Sequence, residues 1–390
     1  MRLSNIKVEQ INEQYEVVED HGEILSKSEM VQILKKHFKG SEYKNGCMYG
    51  ETVGKKYCVY FKNVSYLGTP HPYFKKRIQI GDNFKEVYRD NMSKGIDTLL
   101  LGVYKYKSIV LFVDFDIAKY VENKSHNSSA HVYTIDLKNG LLFGIFQKED
   151  INKNIITTFT PQNVEKYLQS KIDATVDLRL DFIAVLDSFY MGLPKRWHGI
   201  AAYKEMLSAG FNNALQPEWP GFYQEFKLDR YIKENEASDT IEYRQSKKKG
   251  DIDLDLFFPE TGAFGDLKAH SNDSSGIQGN DWDTIMDVIK DKSVFYVVCN
   301  HDTERDRDHG NEVTIFWNTQ LGKKSLLSYS KRMKNSVTLT SYCVLEINRF
   351  NKQYLDVFHQ GHNSDGSPRN PKISIKSKNI GNFLIHQINF

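Results

Sequence analysis

Asp251, Asp253 and Asp255 alternate with Ile252, Leu254 and Leu256 in the stretch KKKGDIDLDLFFPETGAFGDLKAH, residues 247–270. Aspartate is a poor strand former. Its two-residue period is nevertheless that of a strand, with carboxylates along one face and aliphatics along the other. After a turn, Asp266 and Lys268 repeat the spacing on a second strand. Carboxylates gathered on one face repel one another unless a cation compensates. Mg²⁺ does so with oxygen ligands, and usually takes only one or two protein carboxylates beside its waters. Such an ion polarises a phosphoryl oxygen and lowers the pKa of a bound water. A lysine two residues from a ligand, ~6.5–7 Å along the strand, sets an ammonium beside that water and the phosphate. The group suits phosphodiester hydrolysis.

This arrangement resembles the PD-(D/E)xK nuclease superfamily and, within it, the type II restriction endonucleases. Asp253 matches the first acidic position, and Asp266-Leu267-Lys268 matches the acidic-x-Lys element of the next strand. Ile252 stands where the pattern has proline, and Asp251 or Asp255 is the alternative ligand. Glu225, in FYQEFKLDRYI, matches an acidic residue that a preceding helix contributes. The resemblance covers residues 220–300 and implies a mixed central sheet flanked by helices. It implies Asp253, Asp266, Lys268 and Glu225 as catalytic residues. The metal would be held by Asp253, Asp266 and the backbone carbonyl of Leu267. Mg²⁺ is the implied cofactor, with Mn²⁺ able to substitute. Double-stranded DNA is the implied substrate and a cognate DNA methyltransferase the implied partner. A homodimer is expected, because cutting both strands takes two active sites.

The elements around this hairpin follow from periodicity. Ser26-x-x-Glu29 is a capping box that opens a helix through Met30, Ile33, Leu34 and Phe38. Residues 57–147 read as a run of strands, with Lys138-Asn139-Gly140 as a hairpin turn. Thr160-Pro161 opens a helix, and another is expected over 176–191. Gly192-Leu193-Pro194 then breaks the chain. Residues 196–390 bring helices at 197–207 and 281–292, a polar loop at 271–280, and strands at 294–299 and 313–317. The expected architecture is α/β (α+β) in two domains. Residues 1–195 form a strand-rich DNA-recognition or effector domain, and residues 196–390 the catalytic domain.

A chain of 390 residues, 40% of them hydrophobic, can bury two cores. Net charge is only +2, so contacts with a polyanion must come from local clusters. Candidates for DNA contact are Lys75, Lys76 and Arg77 in TPHPYFKKR, Lys247 and Lys248 before the hairpin, and Arg369 and Asn370 in HQGHNSDGSPRNPK. Arginine and asparagine have donor geometries suited to guanine and adenine. Four cysteines without CxxC spacing argue against zinc or a disulfide framework. No apolar leader and no run of ~18 apolar residues is present. A soluble, cytoplasmic protein is expected, with no membrane association.

Rival readings come from the same residue types. Asp136-Leu137-Lys138 repeats acidic-x-Lys, with Asp114 and Asp116 ending an earlier strand. Its lysine runs into the expected turn, and no helix is expected after it. His359, His362 and Asn363 suggest an HNH metal site, but Pro368 and Pro371 forbid the helix it needs. His301 to His309 form a charged stretch expected as a loop. The alternative to an enzyme is a DNA-binding or interaction protein whose acidic strand only guards a sheet edge.

Overall fold

A computed structural model describes residues 2–122, 128–149, 154–173, 176–244, 254–323, 329, 331–361 and 369–390. The architecture is mixed α/β, and the chain divides into two compact units, Met1–Leu180 and Asp181–Phe390.

The first unit is built on a seven-stranded sheet. Its strand order is Ile145–Glu149, Ile155–Phe159, Ile109–Phe115, Asp97–Tyr106, Lys55–Asn63, Cys47–Thr52 and Glu42–Lys44. Only Lys55–Asn63 and Asp97–Tyr106 run parallel within it. Alternation along these strands feeds two cores. Leu99, Leu101 and Val103 pack with Leu34 and Phe38 of the capped helix Lys27–His37. Leu100 and Tyr104 pack on the other face with Ile78, Phe84 and Val132. The Ser26–Glu29 capping box is present.

Asn139 and Gly140 are not a turn. They lie buried in the helix Thr134–Phe143. Asp136 Oδ2 accepts the backbone N–H of Tyr133 at 2.9 Å and so caps the first turn. Gly140 serves close packing: a Cβ there would stand 2.4 Å from Thr158 Cγ2 of the neighbouring strand.

The units divide at 180/181, upstream of the junction expected near 195. Val176 and Leu178 pack in the first unit's core, so the helix expected from 176 starts at Asp181. Its Phe182 ring packs 4.2 Å from Phe258 and 5.1 Å from Phe295, and Tyr190 stacks on Tyr342 at 4.2 Å. Those aromatic contacts tie the helix Asp181–Gly192 to the second unit.

The second unit carries another seven-stranded sheet. Arg196–His198, Lys334–Ile347, Val294–Arg305, Ala263–Ser271, Leu256–Phe258 and Glu242–Tyr243 lie side by side, and Leu384–Asn389 also pairs with Lys334–Ile347. Leu256–Phe258 is antiparallel to Ala263–Ser271, and Ala263–Ser271 is parallel to Val294–Arg305. A parallel neighbour needs a crossover. The chain makes it through Gly276–Asp281 and the helix Trp282–Val288. Gly276–Asp281 is thus a strand within the stretch expected as a loop. It pairs with Lys372–Lys376, which pairs in turn with Asp356–Phe358.

Two more expectations change. Val313–Trp317 is helical, within Glu312–Gln320, despite its β-branched residues. The buried carboxylate of Asp306 accepts the N–H groups of Val313 and Thr314 at 3.0 and 2.8 Å and satisfies the helix start. His301 to Arg305 extend the strand Val294–Arg305 and do not form a loop. Cys47, Cys58, Cys299 and Cys343 are all buried free thiols. No helix among the described residues is long and apolar enough to cross a membrane.

Candidate active site

Three elements converge on Asp266 and Lys268. The first is the strand Ala263–Ser271 itself, which places both side chains two residues apart. Lys268 Nζ donates to Asp266 Oδ2 at 2.6 Å, and Asp266 is 3% exposed. The ammonium also sits 5.3 Å from the centre of the Tyr296 ring on the parallel neighbour. That face supplies a cation–π contact that holds the lysine stem in place.

The second element is the strand Gly276–Asp281. Asn280 Nδ2 donates to Asp266 Oδ2 at 2.5 Å, and Tyr296 Oη donates to Asn280 Oδ1 at 2.7 Å. Asn280 N–H returns a bond to Tyr296 Oη at 2.9 Å. Gly279 makes this approach possible, since a Cβ there would stand 2.6 Å from Tyr296 Oη. Asn280 was not singled out from the sequence. An asparagine in a polar stretch carries no periodicity that would mark it.

The third element is the helix Trp219–Glu234, with Pro220 in its first turn. Trp219, Tyr223 and Phe226 recur at helical spacing and are buried. This packing carries Glu225 inward, where it is 9% exposed and accepts from Tyr243 Oη at 3.0 Å. Burial pushes the Glu225 carboxyl up to about 8, and the charges of Asp255 and Asp266 push the same way against Lys268. Asp255 immediately precedes the strand Leu256–Phe258, whose Leu256 lies opposite Gly265. Its backbone carbonyl accepts from Arg244 N–H at 2.7 Å.

The structure joins Asp266 and Lys268 directly, and the charges of Asp255, Asp266 and Lys268 all act on the buried Glu225. Leu267, between Asp266 and Lys268 in the sequence, is buried. Asp251, Asp253, Lys247 and Lys248 lie outside the described residues, as do His362 and Asn363. Among the described residues, no three His, Cys, Asp or Glu side chains form a metal-binding group by themselves. The donor set still fits a hard divalent cation. Such an ion needs one or two carboxylates, with water and substrate oxygen completing the shell. Burial is the main reason the Glu225 carboxyl is raised, and the charges of Asp255 and Asp266 add to it.

The rival motif has a structural explanation. Asp136 is buried in its helix cap and ion-paired to Lys148 at 2.6 Å, and Asp114 is paired to Lys171 at 2.6 Å. Lys76 departs from its expected role on DNA. It is 2% exposed on the strand Lys75–Ile80, and its ammonium donates to the Glu9 carbonyl at 2.5 Å. Strand alternation turns it inward between Lys75 and Arg77, which stay partly exposed. Arg369 and Asn370 are exposed.

Residues 55–168 match the family described as methylase-associated X1 (MTaX1). The match lies wholly within the first unit. That description associates the segment with methylases and loosely suggests a protein of a restriction–modification system. No curated protein and no solved structure matches the chain.

Proposed function

We propose that the protein is a Mg²⁺-dependent endonuclease of restriction type that hydrolyses phosphodiester bonds in double-stranded DNA. The observation that carries this reading is the Asp266–Lys268 ion pair at 2.6 Å, with Asn280 on the same carboxylate oxygen and the buried Glu225 within electrostatic reach of both. The strand order supports it: an antiparallel hairpin bearing the acidic residues, then a helix, then a parallel strand, with a glutamate-bearing helix before. The methylase-associated segment supports the setting and a DNA methyltransferase as partner.

Asp266 and Asp255, with the Leu267 carbonyl and Asp253, would hold the ion, and Glu225 would approach it through water. When bound, the ion supplies Lewis acidity toward the phosphoryl oxygen and a more acidic water. The chain's own residues do the rest. Asn280 and Lys268 fix the carboxylate of Asp266 from two sides. Lys268 orients the attacking water and offsets the charge growing on the phosphate oxygens. Glu225, held by Tyr243, takes or holds a proton near neutral pH, because its pKa of about 8 lies close to the working range.

The test is cleavage of a long DNA with Mg²⁺, with Mn²⁺, and with EDTA. Discrete bands with either metal, absent with EDTA and absent in Asp266→Asn, support the reading. Undiminished cutting by Asp266→Asn overturns the site. The alternative is a non-enzymatic DNA-binding protein whose acidic strand guards a sheet edge. Retarded migration of DNA without cutting under any metal would favour that alternative.

A further inference from the structure

A cleft of about 440 Å³ opens beside Lys268. It lies at the carboxyl ends of the two parallel strands, reaching Ser271 on one and Arg305 on the other. Ligands of α/β sheets bind outside the carboxyl ends of parallel strands. Lys268, Arg305, Arg332 and Lys334 line it, with Glu218 as the only carboxylate among its lining residues. Lys268 is offset by Asp266 and Lys334 by Glu218, which leaves the two arginines as the surplus positive charge. Glu218 is itself engaged by Lys334 at 2.7 Å and by Tyr329 Oη at 2.5 Å. The nearby Glu304 is held by Arg196 and His309. Arg305 and Arg332 both line the cleft, and Arg332 also acts on Glu218 and Tyr329. The exposed Ser274 and Ser275 also line it. Cations and hydroxyls in one cleft match the needs of a chain of phosphodiesters, which takes both charged and neutral donors.

We infer that this cleft holds the DNA backbone next to the scissile phosphate, with Arg305 and Arg332 contacting successive phosphates and Lys268 ending the track at the site of cutting. The inference rests on the nuclease reading for the identity of the substrate. Arg305 and Arg332 act here as positioning residues, since neither touches Asp266 or Glu225. None of the basic clusters visible in the sequence includes Arg305, and Arg332 is brought to it only by the strand pairing of Arg305 with Lys334.

The experiment measures binding of a duplex oligonucleotide as a function of salt in the Asp266→Asn background, so that cleavage does not interfere. Arg305→Gln/Arg332→Gln is expected to flatten the log–log salt slope by about 2, and each single variant by about 1. In the cleaving protein the double variant should raise KM about tenfold with kcat little changed. Ser275→Glu, at an exposed position, should weaken binding without loss of Tm, and Lys290→Gln, on a distant surface pair with Asp287, should do nothing. An unchanged slope in a folded double variant overturns the cleft. If the parent protein never cuts DNA but the double variant still loses about two units of slope, the nuclease reading fails and the cleft stands as a DNA-binding track. Slope loss on single-stranded RNA but not on duplex DNA overturns the assignment to DNA.

Discussion

Asn280 grips Asp266: its amide donates to Oδ2 at 2.5 Å, the same oxygen that receives Lys268. Tyr296 Oη in turn donates to the amide oxygen of Asn280 and accepts the backbone N–H of the same residue. A carboxylate so held presents its other oxygen in one direction. Removal of such supporting partners typically costs about 10- to 100-fold in metal affinity or activity. Asn280→Ala should therefore slow Mg²⁺-dependent nicking of supercoiled plasmid by that order. Tyr296 keeps the backbone N–H of residue 280 and loses only the side-chain acceptor, so Tm should fall by no more than a few degrees. Nicking at the parent rate would remove Asn280 from the site.

Lys268→Ala and Asp266→Asn should reduce cleavage by about 10²- to 10⁴-fold, the range of a lost proton-transfer or charge-stabilising group, while the fold survives. Asp136→Ala should behave in the opposite way. It strips a half-buried lysine of its partner and a helix of its cap, a loss of roughly 1–3 kcal/mol. Thermal unfolding followed alongside plasmid nicking separates the two classes. A dead but fully stable Asp136→Ala protein would move the chemistry to the first unit.

Glu225 sets a pH dependence with a definite sign. Burial and the neighbouring aspartates raise its folded pKa from 4.5 to about 8. The folded state therefore favours the protonated form. Its contribution is complete below pH ~4.5 and is lost as pH rises through ~8, at up to 1.4 kcal/mol per unit. Metal-free protein should lose Tm between pH 6 and 9, and Glu225→Gln should flatten that decline. Mg²⁺ should restore Tm at pH 9 in the parent more than in the variant. A parallel decline in both proteins would show that Glu225 does not titrate there.

Lys76 offers the reverse case. Burial lowers its pKa from 10.5 to about 8. The folded state favours the neutral amine, so the group's contribution rises with pH between ~8 and ~10.5 and is a net cost at pH 7. Lys76→Met should raise Tm at pH 7 by roughly 2–4 °C per kcal/mol recovered. It should leave the salt slope of DNA binding unchanged. A flattened slope would return Lys76 to the surface role that its sequence neighbours suggest.

Local signals were legible where chemistry and period coincide. Ser26 and Glu29 mark a helix start by their spacing alone, and Asp266 with Lys268 announce a shared strand face. Tertiary packing overrode the local signal elsewhere. Asn139-Gly140 has the residues of a turn, but the Asp136 cap and the contact with Thr158 make it helical. Val313 to Trp317 has the residues of a strand, but Asp306, several positions upstream, supplies the bonds that start a helix. Lys331-Arg332 is a basic pair in the sequence, but Asn280, Arg305 and the pairing of Arg332 with Arg305 were illegible because their meaning depends on strand order. Nothing in a one-dimensional string places residue 280 beside 266, or 332 beside 305.

The four buried thiols give the molecule two built-in clocks. Cys47 and Cys58 lie in the first unit, and Cys299 and Cys343 on adjoining strands of the second. A buried thiol reacts with an alkylating reagent only when its surroundings open. The rate of labelling at each pair therefore times the opening of its own unit, with no added probe. If DNA occupies the second unit, Cys299 and Cys343 should slow while Cys47 and Cys58 keep their pace. The chain would then report, residue by residue, which half of it the nucleic acid holds shut.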